Sequence, residues 1–246
     1  LQGTGSFRIR GSSYLMSRLT AEERARGVVA ASAGNHAQGV ALAARELGIH
    51  ATIFMPLGVP VPKLLATRGY GAEVILQGPT VELPLQLAAE FAKETGAVLV
   101  HPFDHIDVIT GQGTLGLELF EEHPDVDTVL VPIGGGGLIA GVAGAIKAKA
   151  AQAGRTVRVI GVQAANSAAY PESLAAGHPS TVATRPTIAD GIAVARPGDV
   201  PFAMIRDLVD EVVTVSEDDI ARALLLLLER AKLVVEPAGA VGVAAI

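Results

Sequence analysis

Short apolar runs rich in Val, Ile and Ala alternate along the chain with longer segments in which apolar residues recur at helical spacing. The short runs contain few polar residues, which predicts strands that are buried on both faces. The predicted strands are 27–31, 50–55, 73–76, 97–101, 128–133, 157–162 and 211–215. The predicted helices are 35–47, 60–68, 80–94, 108–122, 138–153 and 216–232. This alternation predicts an α/β fold with parallel sheets covered by helices on both faces.

Some local features modify this pattern. Pro84 lies inside the third predicted helix and should kink or delay it, because proline lacks the N–H that a helix interior needs. Ser216 and Asp219 have the spacing of a capping box at the start of the last helix. The leucine run 224–228 is too short to cross a membrane and is flanked by charges, which predicts a buried helix. The segment 176–201, rich in Pro, Gly and Thr, should be the least regular part.

Composition narrows the class of protein. A chain of 246 residues can bury the core of one large or two modest domains. A net charge of −6 without a Lys or Arg cluster argues against a nucleic-acid partner. The lack of cysteine excludes disulfides, thiolate metal sites and a cysteine nucleophile, and it fits a cytoplasmic location. No signal peptide or membrane span is visible, and both ends, at Leu1 and Ile246, look cut.

The most informative motif is the run of four glycines at 134–137, between a predicted strand and a predicted helix. Such a turn can place bare backbone N–H groups around a phosphate at the positive end of a helix. The alternative is a tight strand-to-helix turn, but four consecutive glycines carry a large conformational entropy cost and favour an anion site. The dinucleotide fingerprint lacks its acidic residue and the Walker pattern lacks its lysine. A small phosphorylated cofactor or substrate is therefore the better prediction.

A second polar segment, 32–39, starts where the first predicted strand ends. Ser32 and Asn35 lie there at the start of a helix, which is the usual ligand crevice of open α/β sheets. An ordinary helix cap would explain one polar residue at this point, but not several. His36, taken alone, is more typical of a structural histidine than of a catalytic one.

Seven segments together carry a family resemblance that runs over essentially the whole chain. They are 4–11, 32–39, 66–74, 111–114, 134–137, 187–191 and 236–240. In this order they resemble the fold type II pyridoxal-phosphate enzymes, specifically the threonine/serine dehydratase and serine racemase group. The resemblance implies a two-domain, tryptophan synthase β-like fold. The small domain would be residues 30–106, and the large cofactor-binding domain would combine residues 1–29 and 107–246.

The resemblance also implies residue roles for pyridoxal 5'-phosphate and an amino-acid substrate. The residues that would hold the cofactor phosphate are Gly134, Gly135, Gly136, Gly137 and Leu138. Phe7 would pack against the pyridine ring, Asn35 would bind its 3-hydroxyl oxygen, and Glu236 would lie near that side of the cofactor. Ser32, Asn35 and His36, with nearby backbone N–H groups, would receive the substrate carboxylate.

One departure from the family motif affects the chemistry directly. The family lysine that forms the imine with the cofactor is replaced by Arg8, at the position that the family uses for catalysis. A guanidinium remains protonated, so it supplies neither the free amine for an imine nor a ready base for the α-proton. The other lysines, Lys63 among them, lie in helical segments that no motif links to the site.

Two further departures favour elimination over racemisation. Racemases of this group carry a second serine in the asparagine loop, where this chain has Ala33. Their carboxylate ligands for a divalent cation are replaced by Gln163 and Ala169, which predicts that no metal is bound.

The sequence therefore predicts a threonine/serine ammonia-lyase that gives 2-oxobutanoate or pyruvate plus ammonia, with its activity affected by Arg8. Two alternatives stay open. One is a non-catalytic relative that binds cofactor or amino acid, and the other, less favoured, is a serine racemase. A homo-oligomer is expected from the family, and neither a nucleic-acid nor a membrane partner is expected.

Overall fold

The computed structural model describes residues 2–79 and 82–246, which divide into two compact units. The first unit ends at Gln112 and the second begins at Gly113. This boundary differs from the division into 30–106 and its flanks, which stays a prediction about domain organisation. Within the described ranges, no helix combines the length and the apolar character needed to cross a membrane.

The first unit is built on a parallel sheet of four strands in the order β3-β2-β1-β4. The strands are β1 (Val28–Ala31), β2 (Ala51–Met55), β3 (Glu73–Leu76) and β4 (Val98–Leu99). Val28 pairs with Ala51 on one side and with Val98 on the other. Every residue of β1 and β2 is buried, so both faces of the sheet are covered at these strands, as the non-alternating apolar pattern predicts.

The second unit is built on a three-stranded parallel sheet in the order β5-β6-β7. The strands are β5 (Thr128–Pro132), β6 (Arg158–Ala164) and β7 (Glu211–Val215). Val162, which is fully buried, lies in the central strand between Pro132 and Val213. The α/β class with parallel sheets is therefore confirmed, with all seven predicted strands found near their predicted bounds.

Helices connect and cover the strands. They are α1 (Arg8–Ser17), α2 (Ala21–Arg26), α3 (Asn35–Leu47), α4 (Val61–Gly69), α5 (Glu82–Thr95), α6 (Ile106–Glu122), α7 (Gly137–Gln152), α8 (Ala169–Ala176), α9 (Asp199–Leu208), α10 (Glu217–Leu226) and α11 (Pro237–Ala244). The predicted helix 80–94 corresponds to α5, and its first two residues lie outside the described ranges. Pro84 is the third residue of α5, in the first turn, where its missing N–H removes no intrahelical hydrogen bond.

The capping box at Ser216 is confirmed. Its hydroxyl accepts a hydrogen bond from the Asp219 N–H at 3.2 Å, and the Asp219 carboxylate accepts one from the Ser216 N–H at 3.2 Å. The segment 176–201 is largely irregular, as predicted, with a single 3₁₀ turn at Asp190–Ile192 before α9 begins.

The predicted burial of the leucine run 224–228 is wrong. Leu225, Leu226 and Leu228 are 57%, 50% and 49% exposed. Successive residues of a helix point about 100° apart, so five leucines in a row surround the helix instead of forming one stripe. The packed side of α10 is formed by Ile220 and Ala223, and α10 continues into a π-helical turn at Leu227–Ala231.

Candidate functional site

The asparagine loop, residues 32–35, connects β1 to α3 in the first unit. The Ser32 N–H donates to the Phe54 carbonyl at 3.1 Å, which continues the pairing of β1 with β2 beyond the end of β1. The Ser32 hydroxyl accepts a hydrogen bond from the Gly34 N–H at 3.2 Å. Gly34 is the N-cap of α3 and provides no side-chain cap, so α3 begins at Asn35 with its positive end at the loop. This arrangement suits a carboxylate ligand.

His36 lies in the first turn of α3 and is only 2% exposed. Its Nε2 donates to the Val100 carbonyl at 2.8 Å. Burial, and secondarily the positive charge of Arg8, lowers the pKa of His36 to about 3, although the bond to Val100 acts in the opposite direction. His36 is therefore neutral at physiological pH, with one ring nitrogen bound to backbone.

Arg8, at the position of the family lysine, is the first residue of α1. Its guanidinium lies over the ring of Phe7, 5.1 Å from the ring centroid. The backbone at this position is closely packed against Gly39 of α3, since a Cβ on Gly39 would lie 2.9 Å from the Arg8 carbonyl carbon. The first unit thus fixes the backbone of residue 8 and brings its charge near His36.

A second close crossing holds α1 against α6. A Cβ on Gly111 would lie 2.6 Å from the Arg10 carbonyl oxygen, so only glycine allows this approach. The Gln112 side-chain oxygen, which is buried, accepts a hydrogen bond from the Gly11 N–H at 3.2 Å. Motif 111–114, which carried the resemblance in the sequence, thus supports the helix that begins with residue 8.

Lys63 is a candidate that the sequence interpretation missed. Its Nζ lies 3.8 Å from the position that a Cβ on Gly34 would occupy, so its ammonium is beside the asparagine loop. The expectation that no motif links this lysine to the site is corrected here. The apolar pattern gave no signal for it, because the proximity depends on β1 and β2 being parallel neighbours whose following segments leave the same edge of the sheet.

The glycine loop, residues 134–137, connects β5 to α7 in the second unit. The N–H groups of Gly134, Gly135, Gly136, Gly137 and Leu138 donate to no acceptor within residues 2–79 and 82–246. Gly136 has a φ of 103°, a conformation that side chains rarely allow, and it is the N-cap of the 16-residue helix α7. A row of uncommitted amides at the positive end of a long helix is suited to an anion such as phosphate.

Glu236 is the other predicted site residue of the second unit. It is exposed and is the N-cap of α11. A Cβ on Gly191 would lie 3.6 Å from its carboxylate Oε1, so the motif 187–191 contacts the motif 236–240.

The structure thus places the predicted residues in two groups. Those of the first unit are Phe7, Arg8, Ser32, Asn35 and His36, and those of the second are Gly134, Gly135, Gly136, Gly137, Leu138 and Glu236. Their predicted roles stay predictions. Across the described residues, no group of three or more His, Asp and Glu side chains is arranged to hold a metal ion.

The chain was compared with known families and proteins. The family described as "Pyridoxal-phosphate dependent enzyme" matches residues 1–246. The chain is 54% identical to the L-threonine ammonia-lyase of Thermotoga maritima over 246 residues, which cover all of this chain and 60% of that protein. The L-threonine ammonia-lyase of Geobacter sulfurreducens is 52% identical, also over 60% of its length. The chain therefore spans about three fifths of these relatives.

A solved structure with the same fold is the processed form of threonine deaminase isoform 2 from Solanum lycopersicum. Its TM-score is 0.94 at 40% identity, covering 99% of this chain and 70% of that one.

Proposed function

The chain belongs to the pyridoxal-phosphate dependent enzymes, and we propose that it is an ammonia-lyase acting on threonine or serine. The products would be 2-oxobutanoate or pyruvate plus ammonia. The observation that carries the proposal is the row of five uncommitted amides at the start of α7. The names of the relatives, L-threonine ammonia-lyase and threonine deaminase, support the reaction class and the substrate class.

The glycine loop fits the cofactor phosphate. Gly134 to Leu138 would donate their N–H groups to its oxygens, and the positive end of α7 would stabilise its negative charge. By the family resemblance, Phe7 would pack on the pyridine ring, Asn35 would bind the 3-hydroxyl oxygen, and Glu236 would lie near that side of the cofactor. When bound, pyridoxal phosphate withdraws electrons from the substrate Cα and makes its proton acidic.

The asparagine loop would receive the substrate carboxylate. Ser32 and Asn35 would orient it, together with the N–H groups at the start of α3. The ammonium of Lys63, beside Gly34, would neutralise its charge. His36 would hold the start of α3 in place as a neutral side chain, through its bond to Val100.

Arg8 does not fit the covalent part of the family chemistry. A guanidinium is protonated at working pH, so Arg8 neither forms an imine nor removes the α-proton efficiently. We therefore expect this chain to bind the cofactor without a covalent bond and to turn over threonine slowly.

Arg8 also supports a second candidate function, a non-catalytic protein that binds cofactor or amino acid through its loops. Serine racemisation is less favoured, because Ala33 provides no group to protonate the opposite face of the substrate. The cytoplasmic location and the homo-oligomer stay predictions.

The experiment that tests the proposal compares Arg8→Lys with the unchanged chain. We expect the lysine variant to form 2-oxobutanoate from threonine at least about 100-fold faster, since a positioned base contributes about 10²–10⁴-fold. Borohydride should then trap a cofactor adduct on residue 8, detected by mass spectrometry. The matched control is Arg10→Lys, a change of the same type two residues along α1.

The outcomes separate the candidates. If Arg8→Lys binds cofactor but forms neither keto acid nor adduct, the ammonia-lyase proposal is wrong and the binding protein is favoured. If Arg10→Lys gains the same activity, position 8 is not the site of the chemistry.

A further inference from the structure

A buried tyrosine is hydrogen-bonded to the backbone of the glycine loop. Tyr170, at the start of α8, is fully buried. Its hydroxyl donates to the Gly135 carbonyl oxygen at 3.1 Å. The Gly198 N–H donates to the same oxygen at 3.0 Å, so this carbonyl is fixed by two donors. The ring of Tyr170 packs beside the ring of Phe202, with 6.3 Å between the two ring centroids.

A buried glutamine extends the contact to the start of the loop. The Gln163 side-chain oxygen accepts a hydrogen bond from the Tyr170 N–H at 2.9 Å. Its side-chain nitrogen donates to the Ile133 carbonyl at 3.4 Å. Gln163 is fully buried at the end of β6, so both of its polar atoms find partners in the interior.

These bonds fix the direction in which the loop amides point. In a trans peptide the C=O and the N–H of the next residue point to opposite sides. Because the Ile133 carbonyl is bound by Gln163, the Gly134 N–H points away from this network. Because the Gly135 carbonyl is bound by Tyr170, the Gly136 N–H also points away from it. Both amides belong to the row that has no acceptor among the described residues.

The fit between Tyr170 and the loop is also steric. A Cβ on Gly136 would overlap the Tyr170 hydroxyl, so the tyrosine occupies the space that a side chain at this position would need. Gly136 therefore combines a φ of 103° with a direct contact to the Tyr170 hydroxyl, and both features require glycine at this position.

We propose that Tyr170, assisted by Gln163, is a positioning residue that aims the amides of the glycine loop at a phosphate group. The proposal rests on the proposed function, in which this loop binds the phosphate of the cofactor. Tyr170 touches neither substrate nor cofactor in this role, and acts only through the Gly135 peptide.

The experiment measures equilibrium dissociation constants for pyridoxal 5'-phosphate and for pyridoxal, which lacks the phosphate. Arg8 forms no imine, so binding at residue 8 is non-covalent and is followed by titration. Tyr170→Phe removes the hydroxyl and keeps the ring. We expect affinity for the phosphorylated ligand to fall about 3- to 10-fold, as for loss of one hydrogen bond that orders a binding group, with affinity for pyridoxal unchanged.

The ratio of the two dissociation constants serves as an internal control, because loss of folded protein lowers the apparent affinity for both ligands equally. The matched control is Tyr70→Phe, a tyrosine of the first unit whose ring lies under Arg45. If Tyr170→Phe does not fold, Gln163→Met, which removes the bonds to the Ile133 carbonyl and to the Tyr170 N–H, should likewise weaken binding of pyridoxal 5'-phosphate relative to pyridoxal.

A wild-type ratio in a folded Tyr170→Phe or Gln163→Met variant would overturn the positioning role and leave the proposed function standing. If the unchanged chain does not prefer pyridoxal 5'-phosphate over pyridoxal, the proposed function and this inference both fail.

Discussion

The imidazole of His36 donates its Nε2 proton to the carbonyl oxygen of Val100 across 2.8 Å, joining the first turn of α3 to the residue that follows β4. His36 is 2% exposed and Val100 is fully buried. The environment therefore favours the neutral ring, and the pKa of His36 is lowered to about 3 by burial and by the charge of Arg8. His36 therefore adds no positive charge at the start of α3, next to the asparagine loop.

This histidine should make the protein sensitive to acid. Its pKa is about 6.5 in the unfolded chain and about 3 in the folded one, so the unfolded state binds a proton first as the pH falls. Stability from the neutral ring is fully present above pH 6.5 and declines by up to about 1.4 kcal/mol per pH unit below it. His36→Gln keeps a donor for Val100 and removes this titration, so its unfolding free energy should depend less on pH.

The measurement is urea unfolding at pH values from 7.5 to 5. His178→Gln is the control, because it is the same substitution at an exposed histidine. His101, whose pKa is also lowered by burial, is present in every variant and contributes to the pH dependence of each. Equal slopes for His36→Gln and the unchanged chain would contradict the prediction.

Lys63 should affect substrate binding more than turnover. In the Arg8→Lys background, Lys63→Gln removes a positive charge beside the asparagine loop, and KM for threonine should rise about 10-fold, the size of one charge-assisted hydrogen bond. Lys63→Arg keeps the charge and should restore most of the affinity. Lys93→Gln, an exposed lysine of the same unit, is the control. The role is excluded if Lys63→Gln and Lys93→Gln have the same KM.

Much of the fold was predictable, because buried parallel strands have a distinct sequence pattern. All seven strands were found, and the family, the α/β class and pyridoxal phosphate as the family cofactor are confirmed. Helix α1 was missed because only Leu15 and Met16, near its end, are large apolar residues on its buried side, and the rest of that side is formed by small residues. Gly11 and Ser12 lie on its buried side, where the crossing with Gly111 leaves no room for larger side chains.

The part of the candidate site that could be predicted is the geometry of the glycine loop, while the binding roles of its residues stay predictions. The run of four glycines indicated an anion loop because glycine alone adopts the geometry of Gly136 freely. The position of Lys63 was missed because it depends on which strands are neighbours, and the apolar pattern does not give strand order. Tyr170 was missed for a similar reason, since nothing in its own segment shows that its hydroxyl reaches Gly135.

The crossing of α1 with α3 gives a last prediction, on how residue 8 is held. A methyl group on Gly39 would lie 2.9 Å from the Arg8 carbonyl carbon, so Gly39→Ala must push the start of α1 away. Overpacking of this kind typically lowers the free energy of unfolding by about 1–3 kcal/mol. In the Arg8→Lys background, the displaced lysine should also give less borohydride-trapped adduct.

Gly69→Ala is the matched control, because Gly69 ends α4, has no atom within 4 Å of its added methyl, and is free of positive φ. Alanine should there be neutral or stabilise by up to about 1 kcal/mol, since glycine is the poorer helix former. A Gly39→Ala variant that is as stable as Gly69→Ala and traps the same amount of adduct would show that α1 tolerates the shift. The glycine at 39 would then not be what fixes the backbone of residue 8.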